Sequence, residues 1–166
     1  MSAIASTSPS IRSSLLRQIV LGGLMIGTAD VIIYHWFVSS VLGGYPLTSV
    51  YQYMASGALG ESAFAGGIAT ALLGVLFHFM VSFVVAGVFI LSANRISVLR
   101  RYPFVGSLLY GFGVFIVMNM IVIPLSAAPP LPAPTTPQLV MNILDHILVV
   151  GLPLGIIVQR NANTNN

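Results

Sequence analysis

The 166-residue chain contains neither cysteine nor lysine. Without cysteine it has no disulfide, no thiolate metal site and no cysteine-ligated iron–sulfur cluster. Without lysine it has no Schiff-base chemistry of the kind that holds retinal. Charge of either sign is scarce: 5% of residues are charged, against about 25% in a soluble domain. A chain so poor in charge cannot keep a solvated surface and faces lipid over most of its area. Three acids, Asp30, Glu61 and Asp145, stand against six arginines, for a net charge of +3. No nucleic-acid partner is expected.

What the chain does have is apolar length. It is 57% hydrophobic, with a mean hydropathy of +0.98. Four segments exceed the ~20 residues that cross a ~30 Å hydrocarbon core. They run from about Gln18 to Leu42, Phe64 to Ala93, Pro103 to Leu125 and Gln138 to Gln159. The first is too long for a signal-peptide core and has no convincing cleavage site, so it reads as a retained signal anchor. The expected fold is all-α, a single membrane domain over 1–166 built as a four-helix bundle. Pro124 and the run from Pro129 to Pro137 end the third span in a stiff extended connector. Residues 161–166 read as a disordered polar tail.

The arginines set an orientation. Arg12 and Arg17 precede the first span, Arg95, Arg100 and Arg101 separate the second from the third, and Arg160 follows the fourth. All six fall on one side of a four-span chain, which predicts cytoplasmic N and C termini. In the outer segment from Tyr45 to Gly60, Leu47, Val50, Tyr51, Met54 and Ala58 recur at helical spacing. Thr48, Ser49, Gln52 and Ser56 lie between them, so a short amphipathic helix on the outer membrane face is expected. Trp36, Tyr45, Tyr51 and Tyr53 mark an outer aromatic belt. Glu61 suits the N-terminal dipole of the second span, and Pro153 predicts a kink in the fourth.

Ionisable residues inside a span are functional candidates, because each costs at least ~2.5 kcal/mol to bury in lipid. Here they are Asp30, His35, His78, Asp145 and His146, joined by the uncharged Asn119 and Asn142. Counted at ~1.5 Å per residue from the nearest arginine, all lie roughly 20–27 Å up, in the outer half. Helical phase turns Asp30 onto one face with Gly23, Gly27 and Tyr34, and His78 onto one face with Ala71, Gly74 and Ser82. His35 is rotated away, beside Trp36 at the headgroups. Asp30, His78, Asn119, Asn142, Asp145 and His146 are expected to converge. Intramembrane hydrogen bonds also serve as glue between helices, at ~0.6 kcal/mol each, so a structural role stays open beside a proton relay or solute site.

The stretch from Met54 to Gly60, then Phe64-Ala65-Gly66-Gly67, Gly74 and His78, carries a resemblance, as do Tyr110-Gly111, Met118-Asn119 and Val122 to Ser126. Together these resemble a family of small, uncharacterised bacterial inner-membrane proteins with four spans. The resemblance covers roughly the second and third spans and the outer segment. It implies a bacterial cytoplasmic membrane and no particular activity.

No catalytic motif stands out, and the candidate bases lack a nucleophile partner. The leading expectation is a non-enzymatic small transporter, channel component or accessory subunit. A homo-oligomer or partner membrane subunit would enlarge so small a bundle, and the glycine-rich faces of the second span permit one. The alternative is a haem- or metal-binding redox protein. His78 and His146 at similar depth suit bis-histidine ligation, with Gly74 making room for a flat macrocycle.

Overall fold

The computed structural model describes residues 9–36 and 46–164, with side chains described for 14–33, 36 and 46–162. Among these residues there is no strand. Four helices are long and apolar enough to cross a membrane: Ser14–Ile33, Gly67–Arg95, Pro103–Leu125 and Thr136–Ala162. The chain is an all-α, multi-pass membrane protein. The expected outer end of the first span, and Tyr45, lie outside the described residues. So do the side chains of Tyr34 and His35.

In chain order, α1 is Pro9–Asp30, α2 Leu47–Leu59, α3 Gly67–Arg95, α4 Ser97–Arg101, α5 Pro103–Val117, α6 Ile123–Leu125, α7 Thr136–Asp145 and α8 Gly151–Thr164. The second span starts at Gly67, three residues later than expected, because Gly60–Ala65 forms a 3-10 turn. Gly60 (φ 63°) and Gly67 (φ 58°) bracket that turn in backbone conformations that only glycine adopts without strain. Thr135 and Gln138 form a capping box, with the Thr135 N–H donating to Gln138 Oε1 at 2.9 Å, so the fourth span starts at Thr136. Its far end corrects the expected disordered tail. The helix runs on to Thr164, and Asn161 and Ala162 are half-buried in a small cleft beside Gln18, Asn94 and Arg100.

The helices pair as α1 against α3 and α5 against α8. Gly23 and Gly27 of α1 take the rings of Phe83 and Phe79, so the small-residue face beneath Asp30 is where the second span docks. The apolar core of Ile26, Phe89, Ile90, Val150 and Leu154 joins the first, second and fourth spans in the half nearer the arginines. Tyr110 donates to the Val85 carbonyl at 2.9 Å and ties the third span to the second. At the arginine end, Arg100 Nη1 donates to the carbonyls of Ala93 (2.9 Å) and Asn94 (2.8 Å), capping the last turn of α3.

The outer helix α2 forms where expected but sits differently. It packs along α3 at Gly74, where the Tyr51 carbonyl lies against the glycine. Seven residues separate Gly74 from the start of α3, which sets the crossing roughly 10 Å below the outer end of the span. At one end of α2 Leu47 shares an open apolar depression with Val31 and Trp36, and the other end reaches the end of the third span, where the Ala127 N–H donates to the Gly57 carbonyl at 2.9 Å. Its buried face is Tyr51, Gln52, Ala55 and Ser56, whereas Ala58 is exposed. Hence the face is offset from the apolar stripe, and two of the polar residues read as outward point inward. Gln52 Nε2 donates to the Gly67 carbonyl at 3.0 Å and Ser56 Oγ to the Tyr53 carbonyl at 2.6 Å. Lipid rewards this inversion, since apolar side chains lose nothing by facing it and polar ones need partners.

Packing also answers the glycines of the second span. Gly74 is covered by α2, and a Cβ added at Gly87 would lie 3.8 Å from Ile19 of α1. Both contacts are internal to the chain. The same backbone of Tyr51 fills the space proposed for a macrocycle above Gly74.

Candidate functional site

The polar residues sit where the helices change their winding. Asp30 closes α1 and is followed by a π-helical turn, Val31–His35. Asp145 closes α7 and is followed by another, His146–Val150, and Asn119 lies inside a third, Met118–Val122. Two of the three have a local cause. Pro124 and Pro153 follow closely and lack the N–H that the Met120 and Val149 carbonyls would otherwise accept. The turn after Asp30 has no such proline among the described residues. π-turns inside α-helices gather at functional sites, because they re-aim neighbouring side chains.

Four of the six candidate side chains meet. His78 Nε2 lies 3.0 Å from the Gly27 carbonyl oxygen and 3.5 Å from Asp30 Oδ2. A carbonyl only accepts, so Nε2 carries the hydrogen and the ring donates to α1 while leaning on the carboxylate. Asp30 in turn faces Asp145, so the carboxyl groups of the first and fourth spans are brought together. Two bare carboxylates only accept and repel each other, so a proton held between them would stabilise the approach. His146 Nδ1 lies 3.8 Å from Asp145 Oδ2 and donates to the Asn142 carbonyl at 2.9 Å, with its ring edge-on to Phe115 at 5.7 Å. Asp145 is 7% exposed, and its Oδ1 is buried without a hydrogen-bond partner. The described arginines lie at the other end of the bundle.

No family model, curated protein or solved structure matches the chain. The site therefore stands on its own geometry.

The two asparagines take other places. The Asn119 amide donates to the Phe115 carbonyl of its own helix at 2.9 Å. Asn142 contributes its backbone carbonyl to His146. A residue that sequence reasoning assigned to the apolar stripe and the aromatic belt, Tyr51, belongs to the cluster instead. Its ring stands edge-on to His78 at 6.3 Å. Burial, and then the negative charge of Asp30, push its phenol up to about 12. The available signal was the run Gln52, Ala55, Ser56 beside it, the small and polar stripe that membrane helices bury.

Beside the cluster is an apolar groove of about 360 Å³ between α2, α3 and the end of the third span. Met54, Phe77, Met118 and Val122 line it, and His78 forms part of its wall, so this imidazole borders both the carboxyl pair and the groove. Among the described residues no group of three or more histidines and acids is placed to hold a metal ion.

Proposed function

We propose that the protein is a small transporter, or a transporter or channel subunit, of the bacterial cytoplasmic membrane, with both termini cytoplasmic. Its proton-binding site is the carboxyl pair Asp30–Asp145, flanked by His78 and His146 in the outer half of the bundle. The single observation that carries this reading is the meeting of two carboxyl groups from the first and fourth spans, each with an imidazole beside it. A shared proton between acids on different helices is a charge state that a change in helix contact can load or release. An imidazole nitrogen lies within 4 Å of each carboxylate, so either ring can take up or hand on a proton of the pair. The orientation is supported by the six arginines, and the bacterial membrane by the sequence resemblance.

The test is proton movement in proteoliposomes loaded with a pH-sensitive dye, under an imposed pH gradient and a potassium–valinomycin potential. The wild-type chain is expected to dissipate the gradient, and Asp30→Asn and Asp145→Asn to abolish that flux while keeping the helical circular-dichroism signal. Equal flux through wild type and both variants would remove the carboxyl pair from any proton path.

A further inference from the structure

A second site lies at the opposite end of the bundle, and it is independent of the proton site. Between the arginine ends of the first and fourth spans runs a cleft of about 400 Å³. Arg17, Gln18 and Arg160 line it, and Leu21, Met25 and Ile156 line it further along the same two helices. Among the described residues no acidic side chain lines it. Arg17 and Met25 are eight residues apart on one helix, roughly 12 Å, so the cleft runs through most of the ~15 Å of one leaflet's hydrocarbon. Leu21 and Met25 are 43% and 41% exposed, so its side is open to lipid.

We infer that this cleft binds one anionic phospholipid, its phosphate between Arg17 and Arg160 and part of an acyl chain along Leu21, Met25 and Ile156. The two halves of the cleft each exclude other ligands. A soluble phosphate would use the guanidiniums and leave the aliphatic wall bare. A zwitterionic lipid would fill the wall, but its own ammonium would offset the attraction of the arginines. Guanidinium groups bind phosphate oxygens through paired N–H donors, and basic clefts between spans suit anionic headgroups. Arg17 comes from the first span and Arg160 from the last, so the lipid would bridge the two ends of the chain.

The measurement is native mass spectrometry of the full chain released from nanodiscs holding equal phosphatidylglycerol and phosphatidylcholine. One retained phosphatidylglycerol per chain is expected. Each basic residue at the surface contributes a factor of about five, so the double change Arg17→Gln with Arg160→Gln should lower the preference roughly thirty-fold. Arg17→Lys with Arg160→Lys should retain most of it. Ile156→Trp, which fills the apolar half and leaves both charges, should abolish retention by itself. That variant keeps the test decisive if the glutamine pair fails to fold. Equal retention of the two lipids by wild type, unchanged preference in the glutamine pair, or retention in Ile156→Trp would each overturn the site. So would displacement of the lipid by an equal concentration of glycerol 3-phosphate, since the headgroup alone would then account for binding.

Discussion

One substitution made at two glycines separates packing from propensity. A Cβ at Gly74 would lie against the carbonyl oxygen of Tyr51 and 2.6 Å from its carbonyl carbon. These are backbone atoms of α2, so no rotamer change relieves the contact, and the carbonyl carbon must retreat to about 3.4 Å before contact is ordinary. Forcing an extra carbon into a packed site costs about 1–3 kcal/mol. Exchanging glycine for alanine inside a helix returns at most about 1 kcal/mol. Gly74→Ala should therefore destabilise by about 1–2 kcal/mol and lift Tyr51 from the polar cluster. Gly113 of the third span has nothing within 4 Å of its would-be Cβ. Gly113→Ala should be neutral or stabilise by up to about 1 kcal/mol. Thermal unfolding in detergent reads both, at about 2–4 °C per kcal/mol for a chain of this size. Equal shifts for the two variants would refute the close approach of α2 to the second span.

Three further outcomes follow from the same geometry. Cysteines introduced at Ser49 and Thr135 should react with an impermeant thiol reagent outside intact cells and one at Ser97 should not; labelling at Ser97 alone would invert the proposed orientation. Asp30→Asn and Asp145→Asn should be non-additive in unfolding free energy, with a coupling of about 0.5–3 kcal/mol, and additivity would mean the carboxyls do not meet. The Tyr51 phenol should ionise at about 12 instead of 10.0 in ultraviolet titration, with a lower midpoint in Asp30→Asn. Because its folded value is raised, its contribution is present below pH 10 and lost as pH climbs through about 12, so Tyr51→Phe should flatten that part of the alkaline unfolding curve.

The four spans were legible because crossing lipid imposes a length and a composition that few other structures share. Pro103 at the start of the third helix and Pro124 near its end marked that span to the residue. That Asp30, His78, Asp145 and His146 share one level of the bundle was legible too, since rise per residue is fixed once the arginines anchor the ends. Depth does not give contact, however. Asn119 and His78 lie at similar computed heights, yet Asn119 bonds its own helix at Phe115. The buried face of α2 was misread because the apolar-inward rule belongs to helices bathed in water. In lipid, Gln52 and Ser56 turned inward instead. The π-turn after Asp30 was out of reach, since no sequence signal distinguishes its widened ladder from an ordinary one. The continuation of the last helix to Thr164 depends on Asn161 and Ala162 settling against the first and second spans, a tertiary contact that a polar composition conceals.

Whether the polar cluster is glue or a working site can be decided by removing all of it. Glue maximises satisfied partners, and every lone pair left bare in a dry interior costs about 1–3 kcal/mol. Asp145 Oδ1 is such a lone pair: buried, with no hydrogen-bond partner, beside a second carboxyl group. A bundle selected only for cohesion would gain by replacing the set with apolar side chains, as other buried ionic clusters do, by about 1–4 kcal/mol. The combined change Asp30→Val, His78→Leu, Asp145→Val and His146→Leu tests this directly. No charge is then left without its partner, which is the fault of every single substitution in the cluster. On the proposed reading the fourfold variant unfolds at an equal or higher temperature than wild type and moves no protons. If it unfolds several degrees lower while the helical content at low temperature is unchanged, the four side chains were holding the spans together, and the cluster is cement.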